Sequence, residues 1–278
     1  MRNPLRLMAV LAHPDDESLA IGGTLARYAD EGVETFLVTA TRGENGRNGL
    51  ARRWSPPALA RMREAELRAA CDVLGISEVS FLDYEDAALD QAWAAEAIDK
   101  IATHIERVRP DVVVTFGPEG AYGHPDHIAI SQFTTAAVVQ AARLHQVAKL
   151  YYIVWTRRKW DAYQAALKKL VSRVDGVERQ AVPWAEWAVT TALDTSRYWP
   201  VAWRAVSCHQ SQMAIYENLR GLSAEQHEAL WGSQEYYRAF SLVNGGRGVE
   251  RDLFEGLREN YNEAAGYAGT APHAERCA

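Results

Sequence analysis

The turn His13–Glu17 places one histidine and three acidic side chains close together near the start of the chain. Pro14 restricts the backbone at this point and favours a tight turn. In such a turn, His13 and Asp16 can converge on one point while Asp15 projects elsewhere. A neutral imidazole and a carboxylate suit a divalent metal of the zinc or iron kind. The alternative interpretation is a polar strand-to-helix turn in which an aspartate is the helix N-cap.

A second concentration of titratable side chains is the stretch 124–127, with the sequence HPDH, which follows a loop rich in glycine and opens a predicted helix. His127 can supply a third ligand in addition to His13 and Asp16. Three protein ligands with an open position are typical of a catalytic metal site. A structural zinc would use a closed set of ligands, usually with cysteine, and the cysteines of this chain are badly placed for that. Asp15 and His124 then remain as general base and as general acid or oxyanion stabiliser.

Strand and helix patterns alternate through the first half of the chain, and both clusters follow predicted strands. Short loops between these units predict a Rossmann-like, doubly wound, mostly parallel α/β sheet with helices on both faces. In such sheets the turns after the strands face the ligand crevice. The second half is less regular. The predicted strands are 7–11, 34–40, 79–82, 111–116, 149–155, 188–193 and 236–243, and the predicted helices are 18–28, 57–74, 92–108, 124–144, 160–172, 199–219 and 223–231.

Length and composition favour one domain over residues 1–262, followed by a frayed tail over 263–278. Apolar residues make up 48% of the chain, and the net charge of −6 argues against a nucleic-acid partner. Cys71, Cys208 and Cys277 are far apart and odd in number, which favours a reducing compartment over a disulfide framework. No stretch approaches the length of a membrane span, so a cytoplasmic protein without membrane contact is expected.

Four motifs together resemble those of the LmbE-like (PIG-L superfamily) zinc N-deacetylases. The first and third are specific in combination, and the other two support them. The resemblance covers most of the chain up to the fourth motif, and it is greatest to the deacetylase and the amidase of the mycothiol pathway. The motifs are His13-Pro14-Asp15-Asp16-Glu17, Thr41-x-Gly43-Glu44, Gly123-His124-Pro125-Asp126-His127 and His209-x-Ser211-Gln212.

The resemblance implies a role for each matching residue. His13, Asp16 and His127 match the zinc ligands, and ferrous iron is the alternative ion for such a site. Asp15 matches the general base. His124 matches the residue that stabilises the oxyanion or protonates the leaving amine.

Further residues match supporting positions of the same family. Asp126 matches a partner that orients His124, and Tyr122 matches a mobile tyrosine that approaches the substrate carbonyl. Substrate contacts are expected from Arg63, Asp86 and Glu44. Without the resemblance, Arg63 would be interpreted as a solvated helix arginine. The chain is short between Asp86 and residue 92, where the mycothiol enzymes tend to have a longer loop, so the resemblance leaves the exact substrate open.

The implied activity is the removal of an acetyl group from an N-acetylglucosamine-type substrate by metal-activated water. The alternatives are an amidase acting on a thiol-conjugate amide and a non-catalytic, metal-containing sugar-binding module. Asp15 and His124 favour an enzyme, because binding alone needs neither side chain. The expected partner is a small N-acetylated sugar or sugar conjugate, and assembly into a homo-oligomer stays open.

Overall fold

The computed structural model of the chain describes residues 4–46, 54–167, 171–174, 176–180, 182–246 and 248–258. Within these residues the strands are β1 (Arg6–Leu11), β2 (Glu34–Thr41), β3 (Glu78–Tyr84), β4 (Val112–Phe116), β5 (Lys149–Val154), β6 (Ser172–Val174), β7 (Val177–Arg179), β8 (Thr191–Asp194) and β9 (Ser233–Ser241). Seven of them form one sheet in the order β3-β2-β1-β4-β5-β9-β8, and β6 pairs with β7. The predicted tail, 263–278, lies outside the described residues.

Strand β1 lies in the middle of the sheet and pairs in parallel with β2 and β4. All residues from Leu7 to Leu11 are fully buried, which is the pattern of a strand covered on both faces. The sheet is parallel from β3 to β5, whereas β9 and β8 join it in antiparallel pairing. The predicted mostly parallel α/β class is confirmed, and the less regular second half supplies the antiparallel edge.

Helices connect the strands and cover the sheet. They are α1 (Asp16–Asp30), α2 (Pro56–Leu74), α3 (Ala94–Val108), α4 (Gly120–Gly123), α5 (Pro125–Ala141), α6 (Arg157–Leu167), α7 (Trp199–Val206), α8 (Glu217–Arg220) and α9 (Ala224–Trp231). Gly75 ends α2 in a left-handed conformation, as expected for a glycine after a helix. Ser223 caps α9 and forms a capping box with Gln226, as its sequence pattern predicts.

The prediction of one helix over 199–219 is wrong beyond Val206. The chain runs through successive turns from Ser207 to Tyr216. The backbone N–H and the hydroxyl of Ser211 each donate to the Glu66 carboxylate at 2.7 Å, and side-chain bonds of this kind compete with helical hydrogen bonding. The irregular segment brings two further side chains to the turn after β1, as described below.

Candidate active site

The turn after β1 bends at Asp15, whose backbone has φ 111° and ψ −24°. A positive φ is strained for a residue with a side chain, and such strain collects at functional sites. The Asp16 carboxylate accepts the backbone N–H of His13 at 2.8 Å, and the Glu17 carboxylate accepts that of Asp15 at 2.9 Å. These two hydrogen bonds hold the backbone of the turn in one conformation, in which its side chains contact different partners.

The three side chains that match metal ligands converge in the structure. His13 Nδ1 lies 3.2 Å from His127 Nε2 and 3.7 Å from Asp16 Oδ2, while His127 Nε2 lies 3.4 Å from Asp16 Oδ1. All three residues are buried. Ligand atoms of a tetrahedral ion at zinc-like bond lengths are separated by about 3.3–3.6 Å. The spacing and chemistry of these donors therefore fit one first-row divalent ion.

The electrostatics of the same donors also favour a cation. Burial lowers the pKa of His13, but hydrogen bonds to Asp126 and Asp86 and the charge of Asp16 outweigh it and raise that pKa well above its ordinary value. Burial opposes ionisation of Asp16, but the adjacent His127 and His13 hold the pKa of its carboxyl below its usual range. Carboxylates thus stabilise positive charge at the point where the donors meet.

The second ring nitrogen of His13 is held by two carboxylates. His13 Nε2 lies 3.0 Å from Asp126 Oδ2 and 3.2 Å from Asp86 Oδ1. Asp126 also accepts two backbone N–H groups of the segment 87–89. A carboxylate behind a ligating histidine fixes its tautomer and ring orientation. The Asp126 carboxylate thus contacts His13, whereas Asp126 meets His124 through its backbone N–H, and its role as the partner that orients His124 stays a prediction.

His124 lies at the N-cap of α5, where its Nδ1 accepts the backbone N–H of Asp126 at 3.2 Å. In a neutral imidazole this arrangement leaves the proton on Nε2. Burial, reinforced by the charges of His127 and His13, lowers the pKa of His124 to about 3. His124 is therefore neutral at pH 7 and able to donate a hydrogen bond through Nε2. One ring nitrogen from each of His13, His124 and His127 lies within 4.8 Å of the other two.

Asp15 stands beside the three-donor set rather than in it. The hydroxyl of Tyr216 donates to Asp15 Oδ2 at 2.8 Å, and Arg63 Nη2 donates to the same oxygen at 3.1 Å. Burial raises the pKa of Asp15, and the guanidinium of Arg63 opposes that rise. Both partners use Oδ2, which leaves Oδ1 for another proton donor.

Arg63 is a buried residue of α2, with 4% of its surface exposed. Besides Asp15, its guanidinium donates to the carbonyl oxygens of Pro14 and Gly43. Gly43 has φ 65°, and a Cβ at this position would lie 2.1 Å from Arg63 Nη1, so the glycine makes room for the arginine. The solvated-helix interpretation of Arg63 is therefore wrong. Its contact with substrate stays a prediction.

Asp86 and Glu44 are linked in the loops after β3 and β2. Glu44 Oε1 accepts the backbone N–H of Asp86 at 3.0 Å, and Asp86 Oδ2 accepts that of Asn45 at 3.1 Å. Asp86 lines the central cavity, whereas Glu44 lines a shallower surface pocket with Arg42. Within the described residues, Glu44 positions the Asp86 loop, and its predicted contact with substrate is not supported by this placement.

A buried pair that includes the histidine of the fourth motif lies directly behind the turn. His209 Nε2 lies 2.8 Å from Glu17 Oε1, and Glu17 in turn accepts the backbone N–H of Asp15. His209 is fully buried and Glu17 almost so. This pair ties the irregular segment after α7 to the strained turn, and it explains the histidine of the fourth motif.

A cavity of about 310 Å³ lies over the carboxyl ends of the parallel strands. Its lining includes the three metal-donor residues together with Asp15, Arg63, Asp86, Tyr122, His124 and Tyr216. The Tyr122 ring packs edge-on against His124 and His127, with centroids 5.9 and 5.3 Å away. Burial raises the pKa of Tyr122, so its hydroxyl keeps its proton at neutral pH. All of the predicted site residues except Glu44 and Asp126 therefore line this cavity, and Asp126 lies against the His13 ring.

Comparison with known proteins identifies the family. The profile of the PIG-L family, GlcNAc-PI de-N-acetylase, matches residues 8–138. A 1D-myo-inositol 2-acetamido-2-deoxy-alpha-D-glucopyranoside deacetylase from Actinosynnema mirum is 35% identical, over 91% of this chain and 98% of the relative. A protein of the same name from Mycobacteroides abscessus is also 35% identical, over 91% of this chain and 98% of its own length. This chain belongs to the PIG-L family.

The match to the PIG-L profile runs from β1 into α5, so it contains both histidine motifs but neither His209 nor Tyr216. The fold is shared by solved structures. The conserved protein TT1542 from Thermus thermophilus superposes with a TM-score of 0.62 at 25% identity, covering 87% of this chain and 97% of that one. GalB, a 4-carboxy-2-hydroxymuconate hydratase from Pseudomonas putida, has a TM-score of 0.63 at 19% identity, covering 87% and 99%. Because a hydratase shares the architecture, the fold alone does not specify a deacetylase.

Among the described helices, none is both long and apolar enough to cross a membrane. Cys71 and Cys208 are free thiols, and Cys277 lies outside the described residues.

The contact between Tyr216 and Asp15 could not be inferred from local pattern, although Tyr216 follows the fourth motif by only four residues.

Proposed function

We propose that this PIG-L protein is a metal-dependent hydrolase that removes the acetyl group from an N-acetylglucosamine-type substrate. The observation that carries the proposal is a carboxylate, Asp15, held next to but outside a set of two histidines and one aspartate. That arrangement pairs a general base with an open metal position, as a hydrolytic site requires. The names of the relatives from Actinosynnema mirum and Mycobacteroides abscessus support the substrate class.

His13, Asp16 and His127 would hold the metal, and their two nitrogens and one oxygen favour zinc, with ferrous iron as the alternative ion. When bound, such an ion polarises the amide carbonyl and lowers the pKa of a coordinated water. Asp126 and Asp86 hold the His13 ring from behind through Nε2. With the metal bound, this support would hold the remaining ring proton on Nε2 and leave Nδ1 for the ion.

Asp15 is the proposed general base, and its environment suits that role. Burial raises the pKa of its carboxyl and the charge of Arg63 opposes that rise, so the carboxylate is a stronger base than a solvated one. Tyr216 and Arg63 immobilise Oδ2, so Oδ1 is positioned to accept a proton from water. The proton can then pass to the amine nitrogen as the carbon–nitrogen bond breaks, which releases acetate.

His124 is proposed to act as a neutral donor rather than as an imidazolium. The Asp126 backbone N–H occupies Nδ1, so Nε2–H is available to the oxygen that gains negative charge in the transition state. A neutral histidine whose tautomer is fixed by a backbone N–H is an effective electrophile in other enzymes. The protonated hydroxyl of Tyr122, whose ring packs against His124, would supply a second donor.

The test is acetate release from N-acetylglucosaminyl-inositol and from simple N-acetylglucosaminides, measured with and without a chelator. We expect hydrolysis that the chelator abolishes and that added zinc or ferrous iron restores. Hydrolysis that survives complete metal removal would exclude the proposed chemistry. Tight binding of these sugars without any hydrolysis by the metal-loaded protein would instead support a sugar-binding module.

A further inference from the structure

Helix α1 is interrupted shortly after the turn that carries the metal donor Asp16. Ile21 has φ −138° and ψ 18°, outside the helical region. The first turn of α1, residues 16–20, and the remainder of the helix are therefore two separate helical pieces. Helices bend sharply at glycine pairs or where a side chain is inserted between backbone groups that would otherwise bond to each other. Both features are found here, and Gly22 and Gly23 supply the first of them.

The side-chain amide of Gln234, from β9, supplies the second. Its Oε1 accepts the backbone N–H of Thr24 at 2.6 Å, and its Nε2 donates to the backbone carbonyl of Ala20 at 2.9 Å. In a regular α-helix these two backbone groups would bond to each other, because each N–H donates to the carbonyl four residues earlier. The amide of Gln234 therefore takes the place of one helical hydrogen bond and keeps its two ends apart.

The inserted amide is buried and has only one favourable orientation. Gln234 is 4% exposed. The hydroxyl of Thr24 also donates to Oε1, and it accepts a hydrogen bond from the hydroxyl of Tyr236, 2.6 Å away. Oε1 thus faces two donors while Nε2 faces a carbonyl oxygen, so a flipped amide would place like groups against each other. This position needs an acceptor and a donor side by side, as an amide provides.

Two further side chains bond to the carbonyl of Leu19, at the end of the first turn. The indole N–H of Trp231, from α9, donates to it at 3.0 Å, and the hydroxyl of Tyr163, from α6, donates to it as well. The carbonyls of Leu19 and Ala20 thus receive donors from α6, α9 and β9. The break in α1 is therefore fully hydrogen-bonded at these two carbonyls, as buried backbone groups require.

The first turn of α1 is the part of the site whose direction depends on this break. Asp16 begins the turn and supplies the carboxylate of the metal-donor set. The backbone N–H groups of Ser18 and Leu19 donate to the carbonyl of Asp15 at 3.1 and 2.9 Å, so the turn and the strained aspartate form one unit. A continuous helix would align the two pieces of α1 and change the direction of this unit relative to β1.

We propose that Gln234 is a positioning residue for the metal centre. Its inserted amide keeps α1 bent, and the bend directs the carboxylate of Asp16 toward His13 and His127. The inference rests on the role of Asp16 as a metal ligand in the proposed function. Gln234 does not line the cavity of the site, so it acts through the backbone of α1. Loss of the amide should weaken metal binding although every ligand is still present.

The variant Gln234→Met tests the proposal, because methionine has a similar length and volume but lacks the paired acceptor and donor. The N–H of Thr24 and the carbonyl of Ala20 can then bond directly, which straightens α1. We expect the apparent Kd for zinc, measured by competition with a chromophoric chelator, to rise about tenfold or more, as when groups that orient metal ligands are replaced. Gln234→Leu removes the same two hydrogen bonds with a differently shaped side chain and should give the same result.

Thr195→Val is the matched control. Thr195 is fully buried beside α1, where a Cβ at Gly23 would lie 2.9 Å from the Cβ of Thr195, and its hydroxyl donates to the carbonyl of Trp231 at 2.6 Å. The substitution removes a buried hydrogen bond next to α1 but leaves the inserted amide in place. It should lower the midpoint of thermal unfolding and leave the zinc Kd unchanged.

The outcomes separate positioning from stability and from the proposed function. A zinc Kd in Gln234→Met equal to that of the wild type, or raised equally in Thr195→Val, overturns the positioning role and leaves the hydrolase proposal intact. Failure of both Gln234 variants to fold assigns Gln234 to stability and overturns the role as well. A wild-type protein that binds no divalent metal overturns the proposed function and this inference together. Because the measurement needs no turnover, it decides the role of Gln234 whatever the substrate.

Discussion

The Tyr216 hydroxyl donates to Asp15 Oδ2 at 2.8 Å across 201 residues of sequence. Arg63 Nη2 reaches the same oxygen, so the proposed general base is held by a phenol from the C-terminal half and by a guanidinium from α2. The Glu17 carboxylate, paired with His209, accepts the backbone N–H of the same aspartate. Asp15 is therefore positioned by both halves of the chain.

Removal of the phenolic hydroxyl in Tyr216→Phe should lower kcat by about three- to tenfold, since a hydrogen bond to a charged group contributes about 1.5–3 kcal/mol and Arg63 retains part of that stabilisation. KM and metal content should stay near the wild-type values. The effect should disappear when Asp15→Asn is already present, because Tyr216 acts through that carboxylate. An equal loss in both backgrounds would show that Tyr216 acts elsewhere.

The metal donors should each be required for binding the ion. His13→Ala, Asp16→Ala and His127→Ala each remove one of three protein ligands, and we expect each purified variant to lose most of its metal. Elemental analysis of the variants decides this. Full stoichiometric metal in all three, at wild-type affinity, would show that the ion binds elsewhere.

His124→Ala should retain the metal but lower kcat by about 10²–10³, since it would remove a donor to charge that exists only in the transition state. KM should change little. Metal content and steady-state kinetics of this variant test the division of roles among the three histidines. If His124→Ala loses the metal outright, His124 is a ligand, which its ring nitrogen lies close enough to become.

Arg63 should control the pH dependence of turnover. Burial raises the pKa of Asp15 and Arg63 opposes the rise, so Arg63→Ala should raise that pKa further. The base must be ionised to act, and activity is therefore lost as the pH falls through its pKa. We expect the acidic limb of the kcat/KM profile to move to higher pH in Arg63→Ala, and less so in Arg63→Lys. An acidic limb at the wild-type position together with a raised KM would assign Arg63 to substrate binding instead.

The sequence predicts this site in part. The turn after β1 and the histidines at the start of α5 are recognisable because both follow apolar strands, and parallel strands bring their carboxyl ends to one edge. The side-chain positions of Asp126 and Tyr216, in contrast, cannot be predicted from the local sequence. Asp126 turns its carboxylate to His13, 113 residues away, and Tyr216 lies in a segment whose pattern predicts a continuous helix. Polar contacts between residues distant in sequence position both side chains. Local hydrophobic periodicity carries no information about such contacts.

Irregular backbone was the other feature that sequence pattern did not reveal. The segment after α7 has helical composition, but Glu66 captures Ser211 through its backbone and its hydroxyl. The positive φ of Asp15 is similarly invisible in the sequence, because an aspartate rather than a glycine occupies the strained position. In both places a tertiary contact overrides the local preference.

The central claim is that Asp15 is a general base that stands outside the metal-donor set, and Asp15→Asn tests it most directly. The amide keeps the size of the side chain but cannot accept the proton of water. We predict a protein with wild-type metal content whose kcat on N-acetylglucosaminides is reduced by about 10²–10⁴-fold. Metal content and kcat should be measured on the same preparation. Near wild-type kcat with the metal retained would remove Asp15 from the mechanism, and loss of the metal would show that Asp15 belongs to the ligand set.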